Sequence, residues 1–593
     1  MVFLSVRDLG KTIQARKGET LLEILRREGI VLDAYCGGMG TCGKCVVKIL
    51  NGEVSPPNAL EEKHLREKLS SGFRLACQVI LWSDTECEVS FSLSDQALVN
   101  TVTQEVSAEH LPVQRKRVIV EKPSLGKPTS VQEVVEEKLS QPLEWERGAV
   151  EKLSRLVGSD FGQDLEVICD QRRVYSIEPW SDKPFLGIAF DLGTTTVACE
   201  LLDLVRGVSL GSSGALNRQV SLGADVISRL RSIQDDQRNL NVLQSLAIQT
   251  MNEILAEVCE RAQVEPERIF AVTVAGNTIM EHLFLGISPL LIGVAPYTPT
   301  FRRAFLVRAQ EIDLATHPHA QVYLFPQVAG YVGGDIVGGI VAFDLDVTDR
   351  TILYVDIGTN GEMSLLARGK MWCCGTAAGP AFEGAQITCG TRATLGAIHA
   401  VDMDGGKMTI STVGGVSPRG ICGTGLIDVL AGLLQQKLVG PTGRFQNTEG
   451  MWKSYFIQDK TRAFVLSRDP LLVLTQEDIS QLQLAKAAIR AGWKILLHEA
   501  GLEERDIETV ILAGAFGSFI NPESAKRIGL VPALPPVKAV GNASLFGAKR
   551  ALLSRKFRER VENLALRCEY VELSARGDFQ DYFFESLVFE GEE

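Results

Sequence analysis

Apolar strand runs and amphipathic helical patterns alternate along the chain from Phe185 onward, with glycine-rich turns between them. Apolar runs bounded by turn residues predict buried strands, and apolar positions spaced three and four apart predict helices. Strands that alternate with helices in this way are typical of α/β architecture. We therefore predict a multidomain α/β protein whose largest region spans residues 183–593.

The N-terminal part of the chain has a different pattern. Residues 2–15 alternate between apolar and polar positions like an edge hairpin, and Thr20 and Glu23 have the spacing of a capping box that opens a helix. Residues 94–117 are polar and weakly periodic, which predicts a linker. Residues 118–182 carry two strand patterns around two helical ones, which predicts a small α/β middle domain.

Length, charge and apolar content exclude several classes of protein. A chain of 593 residues is too long for one core, so three or four domains are expected. A net charge of −12 argues against nucleic-acid binding. We find no apolar run of membrane-spanning length and no signal-peptide core in the first ten residues, so we expect a cytoplasmic protein that does not enter a membrane. The 13 cysteines then indicate reduced thiols and a metal site.

Four of these cysteines form the most informative motif of the chain. Cys36, Cys42, Cys45 and Cys77 follow the pattern C-x5-C-x2-C-x31-C, with glycines throughout the loop that holds the first three. Three thiolates on a glycine-rich loop and a fourth from further along the chain suit a [2Fe–2S] cluster. Together with the order of strands and helix around the loop, this resembles the β-grasp ferredoxin fold. We place that domain at residues 1–93.

A zinc site, a redox-active cysteine pair and a phosphate site all fit this loop less well. A four-cysteine zinc site usually has two short knuckles, whereas Cys77 stands alone here. A redox-active pair at Cys42 and Cys45 would leave two cysteines unexplained. Gly43 and Lys44 also end a near match to a P-loop, but the next residue is a cysteine rather than serine or threonine. We therefore reject a phosphate site at this loop.

One motif occurs twice in the α/β region. Both LGIAFDLGTTTVACELL, residues 186–202, and ILYVDIGTNGEMSLLA, residues 352–367, read as a strand ending in Asp, a Gly-Thr turn and a second strand. Such turns present N–H and hydroxyl donors to phosphate, and the Asp can hold Mg²⁺ through water. The repeat predicts two halves, 183–350 and 351–593, that face each other across ATP and Mg²⁺. The predicted catalytic residues are Asp191 and Asp356, and the predicted phosphate-binding residues are Gly193, Thr194, Thr195, Thr196, Gly358, Thr359, Asn360 and Gly361.

A third motif supports a nucleotide site. The strand VILA, residues 510–513, leads into Gly514, Ala515, Phe516 and Gly517. This resembles the adenosine motif of the actin-like ATPases, the superfamily of acetate and sugar kinases, Hsp70 and actin, and we expect the base near these four residues. The segment GNASLFGA, residues 541–548, could pack beneath the base.

The whole chain resembles the reductive activators of corrinoid proteins. The marks of the resemblance include CGGMGTCGKC, FDLGTTTVA, LNRQVSLGADVISRL, VAGNTIMEHLFLG, YVDIGTNGEM and LAGAFGSFINPE. It implies a ferredoxin-like domain, a small middle domain and a duplicated actin-like ATPase region. It also implies ATP-dependent transfer of one electron from the [2Fe–2S] cluster to the Co(II) cobalamin of a corrinoid methyl-carrier protein, which restores Co(I). The implied partners are that corrinoid protein, an upstream low-potential electron donor and a second copy of the chain.

Three alternatives remain open on the residues alone. The actin-like fold also hosts small-molecule kinases, although a kinase has no need of a redox module. An ATP-driven electron donor of the 2-hydroxyacyl-CoA dehydratase-activator type would place a [4Fe–4S] cluster in the ATPase core instead. A redox-sensing chaperone would bind without catalysing electron transfer.

Overall fold

The computed structural model describes residues 2–16, 18–28, 30, 32, 38, 40, 43–89, 110–123, 129–158, 161–358, 360–384, 386–447, 450–458, 462–517 and 519–589. Within these residues, no helix combines the length and the apolar character needed to cross a membrane.

The N-terminal domain is a five-stranded sheet with the strand order β2-β1-β5-β3-β4. Alternate side chains of β1 are buried, as the hairpin pattern predicts. The predicted capping box is confirmed, because the Thr20 N–H donates to Glu23 Oε2 at 2.8 Å and the Glu23 N–H donates to Thr20 Oγ1 at 3.3 Å. The elements are β1 Val2–Val6, β2 Lys11–Ala15, α1 Leu21–Arg27, β3 Val46–Asn51, α2 Ala59–Leu65, β4 Phe73–Leu75 and β5 Thr85–Glu88.

The next domain is a four-stranded sheet, β6-β8-β9-β7, covered by two helices. Its elements are β6 Gln114–Val120, α3 Val131–Leu139, β7 Glu144–Trp145, α4 Arg147–Val157, β8 Gln163–Cys169 and β9 Arg173–Pro179. Strand β6 begins at Gln114, inside the stretch that the sequence pattern assigns to the linker. Its first half is basic and lies mostly exposed on an edge strand, so it has no apolar pattern by which to recognise it.

The following six-stranded sheet has the order β12-β11-β10-β13-β15-β14. Its core comes from apolar strand residues packed against the long helix α6 and its neighbours. The elements are β10 Leu186–Leu192, β11 Thr196–Asp203, β12 Val208–Leu216, α5 Val226–Asp235, α6 Asn239–Ala262, β13 Ile269–Gly276, α7 Thr278–Leu285, β14 Phe305–Arg308, β15 Gln321–Leu324 and α8 Gly334–Ala342.

The C-terminal part holds a second six-stranded sheet, β26-β25-β16-β17-β18-β27, and two three-stranded sheets, β20-β19-β21 and β22-β23-β24. Its strands are β16 Ile352–Ile357, β17 Gly361–Ala367, β18 Lys370–Thr376, β19 Ala397–Asp404, β20 Lys407–Thr412, β21 Gly420–Ile421, β22 Phe456–Gln458, β23 Arg462–Arg468, β24 Leu471–Thr475, β25 Thr509–Ala513, β26 Val537–Ala539 and β27 Glu569–Tyr570. Its helices are α9 Gly423–Gln435, α10 Gln476–Ala500, α11 Gly514–Gly517, α12 Pro522–Arg527, α13 Ala543–Leu553, α14 Arg555–Arg567 and α15 Phe579–Leu587.

The two six-stranded sheets repeat one topology. In the first, β10, β11 and β12 run antiparallel in succession and β13 lies parallel to β10. In the second, β16, β17 and β18 run antiparallel and β25 lies parallel to β16. The β10–β11 and β16–β17 hairpins therefore hold equivalent positions, which confirms the duplicated α/β region that the repeated motif predicts.

Helix α13 joins the two halves, because it packs on the first sheet although it lies near the end of the chain. Thr273 Oγ1 donates to the Ala548 carbonyl at 2.7 Å, and Lys549 Nζ forms a buried ion pair with Glu200 at 2.8 Å. A Cβ at Gly547 would lie 2.6 Å from the backbone of Gly338 in α8, so the close crossing of α8 and α13 requires glycine. The two halves are therefore packed together through these two helices.

Candidate functional site

Strand pairing brings together the two predicted cluster ligands that the structure describes. Val46 of β3 lies opposite Leu75 of β4, so Cys45, just before one strand, meets Cys77, just after the other. Both side chains are buried. Their Sγ atoms are 3.3 Å apart, well beyond the ~2.05 Å of a disulfide and near the ~3.8 Å of two thiolates on one tetrahedral metal ion with ~2.3 Å bonds.

The surroundings of these two sulfurs also fit an iron–sulfur cluster. Gln78 Nε2 lies 3.3 Å from Cys77 Sγ and 3.3 Å from the carbonyl of Gly38, so this amide ties the glycine-rich loop to the far ligand. Hydrogen bonds to ligand sulfurs are one of the means by which proteins set the potential of such clusters. Cys36 and Cys42 lie outside the described residues, and their roles as ligands stay a prediction.

The first predicted phosphate hairpin is held by side chains from three other elements. Asn217 Nδ2 donates to the carbonyl of Gly193 at 2.9 Å, and Asn277 Nδ2 donates to Thr194 Oγ1 at 3.0 Å. The buried guanidinium of Arg229 donates to the Thr194 carbonyl. Thr194 itself is buried, whereas the side chains of the next two predicted residues, Thr195 and Thr196, are partly exposed.

The turn of this hairpin requires its glycine. A Cβ at Gly193 would lie 2.5 Å from the carbonyl oxygen of Thr196. A side chain at this position would force the turn open. A tight turn of this kind can present backbone N–H groups to an anion, as a phosphate site needs.

The second hairpin pairs Asp356 of β16 with Glu362 of β17 and, on its other side, with Ala513 of β25. The Gly358 N–H donates to the Asn360 carbonyl at 2.9 Å and closes the turn. Gly361, which opens β17, faces Ile489, and a Cβ there would approach that side chain to 2.9 Å. Thr359 lies outside the described residues.

The predicted adenosine motif lies directly beside the second hairpin. Gly514 has φ of +88°, and a Cβ there would lie 2.5 Å from Asp356 Oδ1. Residues Gly514–Gly517 form the short helix α11 at the end of β25. The structure therefore brings the predicted base-binding motif and one of the two predicted catalytic acids into contact.

Two residues that touch the other acid were not predicted for this role. Ser544 Oγ donates to Asp191 Oδ1 and Asn542 Nδ2 donates to Asp191 Oδ2, each at 2.8 Å. Asn542 also caps α13 by accepting from the Leu545 N–H at 2.8 Å. The segment that the sequence predicts to pack beneath the base thus holds the predicted catalytic carboxylate Asp191 in one orientation.

A third carboxylate, Asp335 at the start of α8, lies near enough to Asp191 and Asp356 to affect their charges and was not predicted from the sequence. Burial raises the pKa of Asp335 to about 7, with a further contribution from Asp191. Burial, Asp335 and Asp191 raise the pKa of Asp356 to about 8. Burial raises the pKa of Asp191 as well, against its bonds from Ser544 and Asn542, and burial together with Asp335 and Asp356 raises that of Glu362.

We name the region bordered by Asp191, Asp335 and Asp356 the cleft; its half-buried carboxylates lie near enough to repel one another. A cation between them would relieve their repulsion, and Mg²⁺ prefers oxygen ligands of this kind. Over the described ranges, no three His, Cys, Asp or Glu side chains form a metal site by themselves. Carboxylates of this kind can hold Mg²⁺ that arrives with phosphate groups through its bound water.

Comparison with known families divides the chain into three matched parts. Residues 5–81 match the model of the 2Fe-2S iron-sulfur cluster binding domain. Residues 186–348 match the model described as the RACo middle region, and residues 350–593 match the C-terminal domain of RACo, the ASKHA domain.

One curated relative and one solved structure match almost the entire chain, and a second relative matches about two thirds of it. The corrinoid activation enzyme RamQ of Eubacterium limosum is 29% identical over 605 residues, which covers 98% of each chain. The [Co(II) methylated amine-specific corrinoid protein] reductase of Methanosarcina barkeri is 23% identical over 440 residues, or 68% of this chain and 77% of that protein. A solved structure, that of a reductive activator for corrinoid,iron-sulfur protein, is 32% identical, covers 99% of this chain and 98% of that one, and superposes with a TM-score of 0.73.

These comparisons confirm the predicted fold class: a ferredoxin-like N-terminal domain joined to an actin-like ASKHA region in one multidomain α/β chain.

Proposed function

The chain belongs to the family of reductive activators of corrinoid proteins, and we propose that it uses ATP to drive one electron from its own [2Fe–2S] cluster to the Co(II) cobalamin of a corrinoid methyl-carrier protein. The product is Co(I), the form that can accept a methyl group. Every matched part of the chain has a place in this proposal, since one domain holds the redox group and the others hold the nucleotide.

The observation that carries the proposal is the joint presence of two paired, buried cysteine sulfurs and an acidic cleft between two equivalent hairpins. A cluster alone would serve an ordinary electron carrier. An electron that must move to a lower potential loses a factor of ten in equilibrium for every ~59 mV. ATP binding and hydrolysis can offset that loss only if the same protein closes around nucleotide and also meets the corrinoid partner.

In this proposal Cys36, Cys42, Cys45 and Cys77 hold the cluster, and Gln78 orients the loop against its far ligand. When bound, the cluster supplies a one-electron donor near the protein surface. An upstream low-potential donor refills it, and the protein acts as a homodimer, as the resemblance to the family implies.

The cleft residues have separate roles. The backbone N–H of Gly193, with Thr195, Thr196, Thr359 and Asn360, holds phosphate oxygens, while the Gly358 N–H keeps the second turn closed on the Asn360 carbonyl. Asp191, fixed by Ser544 and Asn542, and Asp356 hold Mg²⁺ through water. Asp335 faces both acids and is the carboxylate placed to orient the attacking water. Gly514, Ala515, Phe516 and Gly517 receive the base.

Phosphate release from ATP tests this function. We expect the rate to rise when a carrier loaded with Co(II) corrinoid is added anaerobically, and to stay at its basal value with the same carrier stripped of corrinoid. An Asp191→Ala variant should release no phosphate in either case, whereas Asp349→Ala, at an exposed aspartate of the same region, should behave like wild type. ADP formation that ignores the corrinoid but rises with a small acid or sugar, without phosphate release and with the phosphate found on that molecule, would identify a kinase instead.

A further inference from the structure

The iron–sulfur module, residues 2–89, touches the C-terminal domain through a residue beside a cluster ligand. Lys44 Nζ donates to the carbonyl of Ile387 at 2.7 Å and to the carbonyl of Gly390 at 3.1 Å. A second module residue, Lys68, lies close enough to the same turn to act with Lys44 on Cys389, whose thiol pKa burial raises and these two ammonium groups lower. Lys44 is therefore hydrogen-bonded to this turn, and Lys68 adds a second positive charge near it.

The acceptor side of this contact is a rigid turn, residues 386–391, which we name the docking segment. The Gly390 N–H donates to the Ile387 carbonyl at 3.0 Å, and a Cβ at Gly390 would lie 2.1 Å from the carbonyl oxygen of Gly384. Thr388 donates from its N–H and its hydroxyl to Asp478 Oδ1, at 2.7 and 3.0 Å, at the start of α10. The two carbonyls that receive Lys44 are thus fixed in direction before the module arrives.

The residues just before the docking segment lead back to the nucleotide cleft. Burial lowers the pKa of Arg229 to about 9, and the nearby carboxylates of Asp225 and Glu383 oppose that shift. The same guanidinium donates to the carbonyl of Thr194 in the first phosphate hairpin. Arg229 is therefore hydrogen-bonded to the first phosphate hairpin and also lies within reach of the charge of Glu383, which stands just before the segment that receives Lys44.

We propose that the iron–sulfur module docks on the C-terminal domain through Lys44 and the docking segment, and that nucleotide in the cleft weakens this docking. Phosphate at the first hairpin adds negative charge beside Arg229 and competes with Glu383 for the guanidinium. A shift of Glu383 moves the turn whose carbonyls hold Lys44. Docked, the module keeps this face of its cysteine loop against the ATPase region; released, it presents that face to a partner.

The reactivity of individual lysines tests the docking without any assay of electron transfer. The cluster-loaded full-length protein is treated with an amine-acetylating reagent, and modification of each lysine is followed by mass spectrometry. Without nucleotide, Lys44 should react about tenfold more slowly than the exposed Lys11 of the same module, because a lysine held by two acceptors must first be released. Equal rates at the two lysines would overturn the docking.

Mg²⁺ and ATP are then added to test the second half of the proposal. The rate at Lys44 should rise several-fold while the rate at Lys11 stays constant. If ATP protects the protein against thermal unfolding, and so binds, but Lys44 is unaffected, the link from the cleft to the docking segment is wrong and the docking itself stands. The effect of ATP on docking rests on the proposed nucleotide site. Corrinoid reduction is measured in a separate experiment, so failure of the docking proposal can be told from failure of the proposed function.

Two variants make the test independent of any one substitution. Lys44→Met removes the donor and should increase the radius of gyration of the nucleotide-free protein in solution scattering, whereas Lys11→Met should leave it unchanged. Thr388→Val removes the hydroxyl bond to Asp478 and should raise the acetylation rate of Lys44 without altering the cluster loop. Should Lys44→Met fail to retain iron, the Thr388→Val result decides alone. A wild-type rate at Lys44 in that variant would contradict the proposed role of the docking segment.

Discussion

Replacing Asp356 by asparagine should stabilise the nucleotide-free protein and abolish ATP turnover in the same step. Asp356 lies in the cleft, with Asp335 and Asp191 near enough to raise its pKa. Asparagine has nearly the same shape and no charge. The substitution removes the free-energy cost of burying a carboxyl group beside two others. It also removes the negative charge that we propose holds Mg²⁺.

The pKa of Asp356 sets the size and the sign of the effect. Its value is 3.8 for the free side chain and about 8 in the folded protein. At pH values between these two pKa values, the unfolded chain has released the Asp356 proton and the folded chain still keeps it. The free energy of unfolding therefore falls as pH rises through this range. At pH 7, about three pH units above the pKa of the free side chain, 1.36 kcal/mol per unit gives a limit of about 4 kcal/mol. Because the cleft carboxylates titrate together, we expect Asp356→Asn to raise the free energy of unfolding by a smaller amount, about 1–3 kcal/mol.

Urea unfolding followed by tryptophan fluorescence measures this difference, at about pH 5.5 and about pH 8 without nucleotide. Relative to wild type, Asp356→Asn should gain more stability at the higher pH, whereas Asp349→Asn, at an exposed position, should show no such gain. A variant that is less stable than wild type at the higher pH, or a difference independent of pH, would refute the reasoning from burial and charge repulsion.

The other predictions concern the cluster, the cleft, the linker and assembly. Cys77→Ser should lose most of its [2Fe–2S] cluster, measured as bound iron and by electron paramagnetic resonance of the reduced protein; tightly bound zinc without iron in anaerobically purified wild type would contradict the cluster assignment. Asp191→Ala should stop ATP turnover and leave the visible spectrum of the cluster unchanged, because the two sites lie on separate domains, and normal hydrolysis would disprove the clamp. Shortening the linker ahead of β6, within residues 94–113, should slow Co(I) formation but not ATP hydrolysis, and unchanged Co(I) formation would rule out a moving module. Sedimentation should show a homodimer, and monomer alone at micromolar protein would count against it.

The strands and turns of the two phosphate hairpins were predictable because each is encoded by one short segment. A buried apolar run, an Asp, a Gly-Thr turn and a second strand specify the hairpin locally, and the structure has both pairs, β10–β11 and β16–β17. Cys45 and Cys77 were recognisable as partners because their spacing matches a known ligand pattern. The roles of the hairpin residues toward ATP stay a prediction.

Residues that act through distant contacts were not predictable in this way. Ser544 and Asn542 reach Asp191 only because α13 crosses back onto the first sheet, some 350 positions along the chain. Asp335 starts a helix rich in glycine and small apolar residues, a pattern that also serves close helix packing. The local motif around Lys44 resembles only a false P-loop. Its actual partners, the carbonyls of Ile387 and Gly390, belong to a different domain.

The most direct test of the proposed function follows the cobalt of a corrinoid carrier by its visible spectrum under anaerobic conditions. Carrier in the Co(II) state is mixed with the protein, a reductant that cannot reduce the cobalt by itself, and Mg²⁺ with ATP. We predict that Co(I) accumulates only when protein, reductant and ATP are all present, and that Asp191→Ala protein with an intact cluster yields none. Co(I) formed at the same rate without ATP, or no Co(I) with any corrinoid carrier while ATP is hydrolysed, would contradict the account.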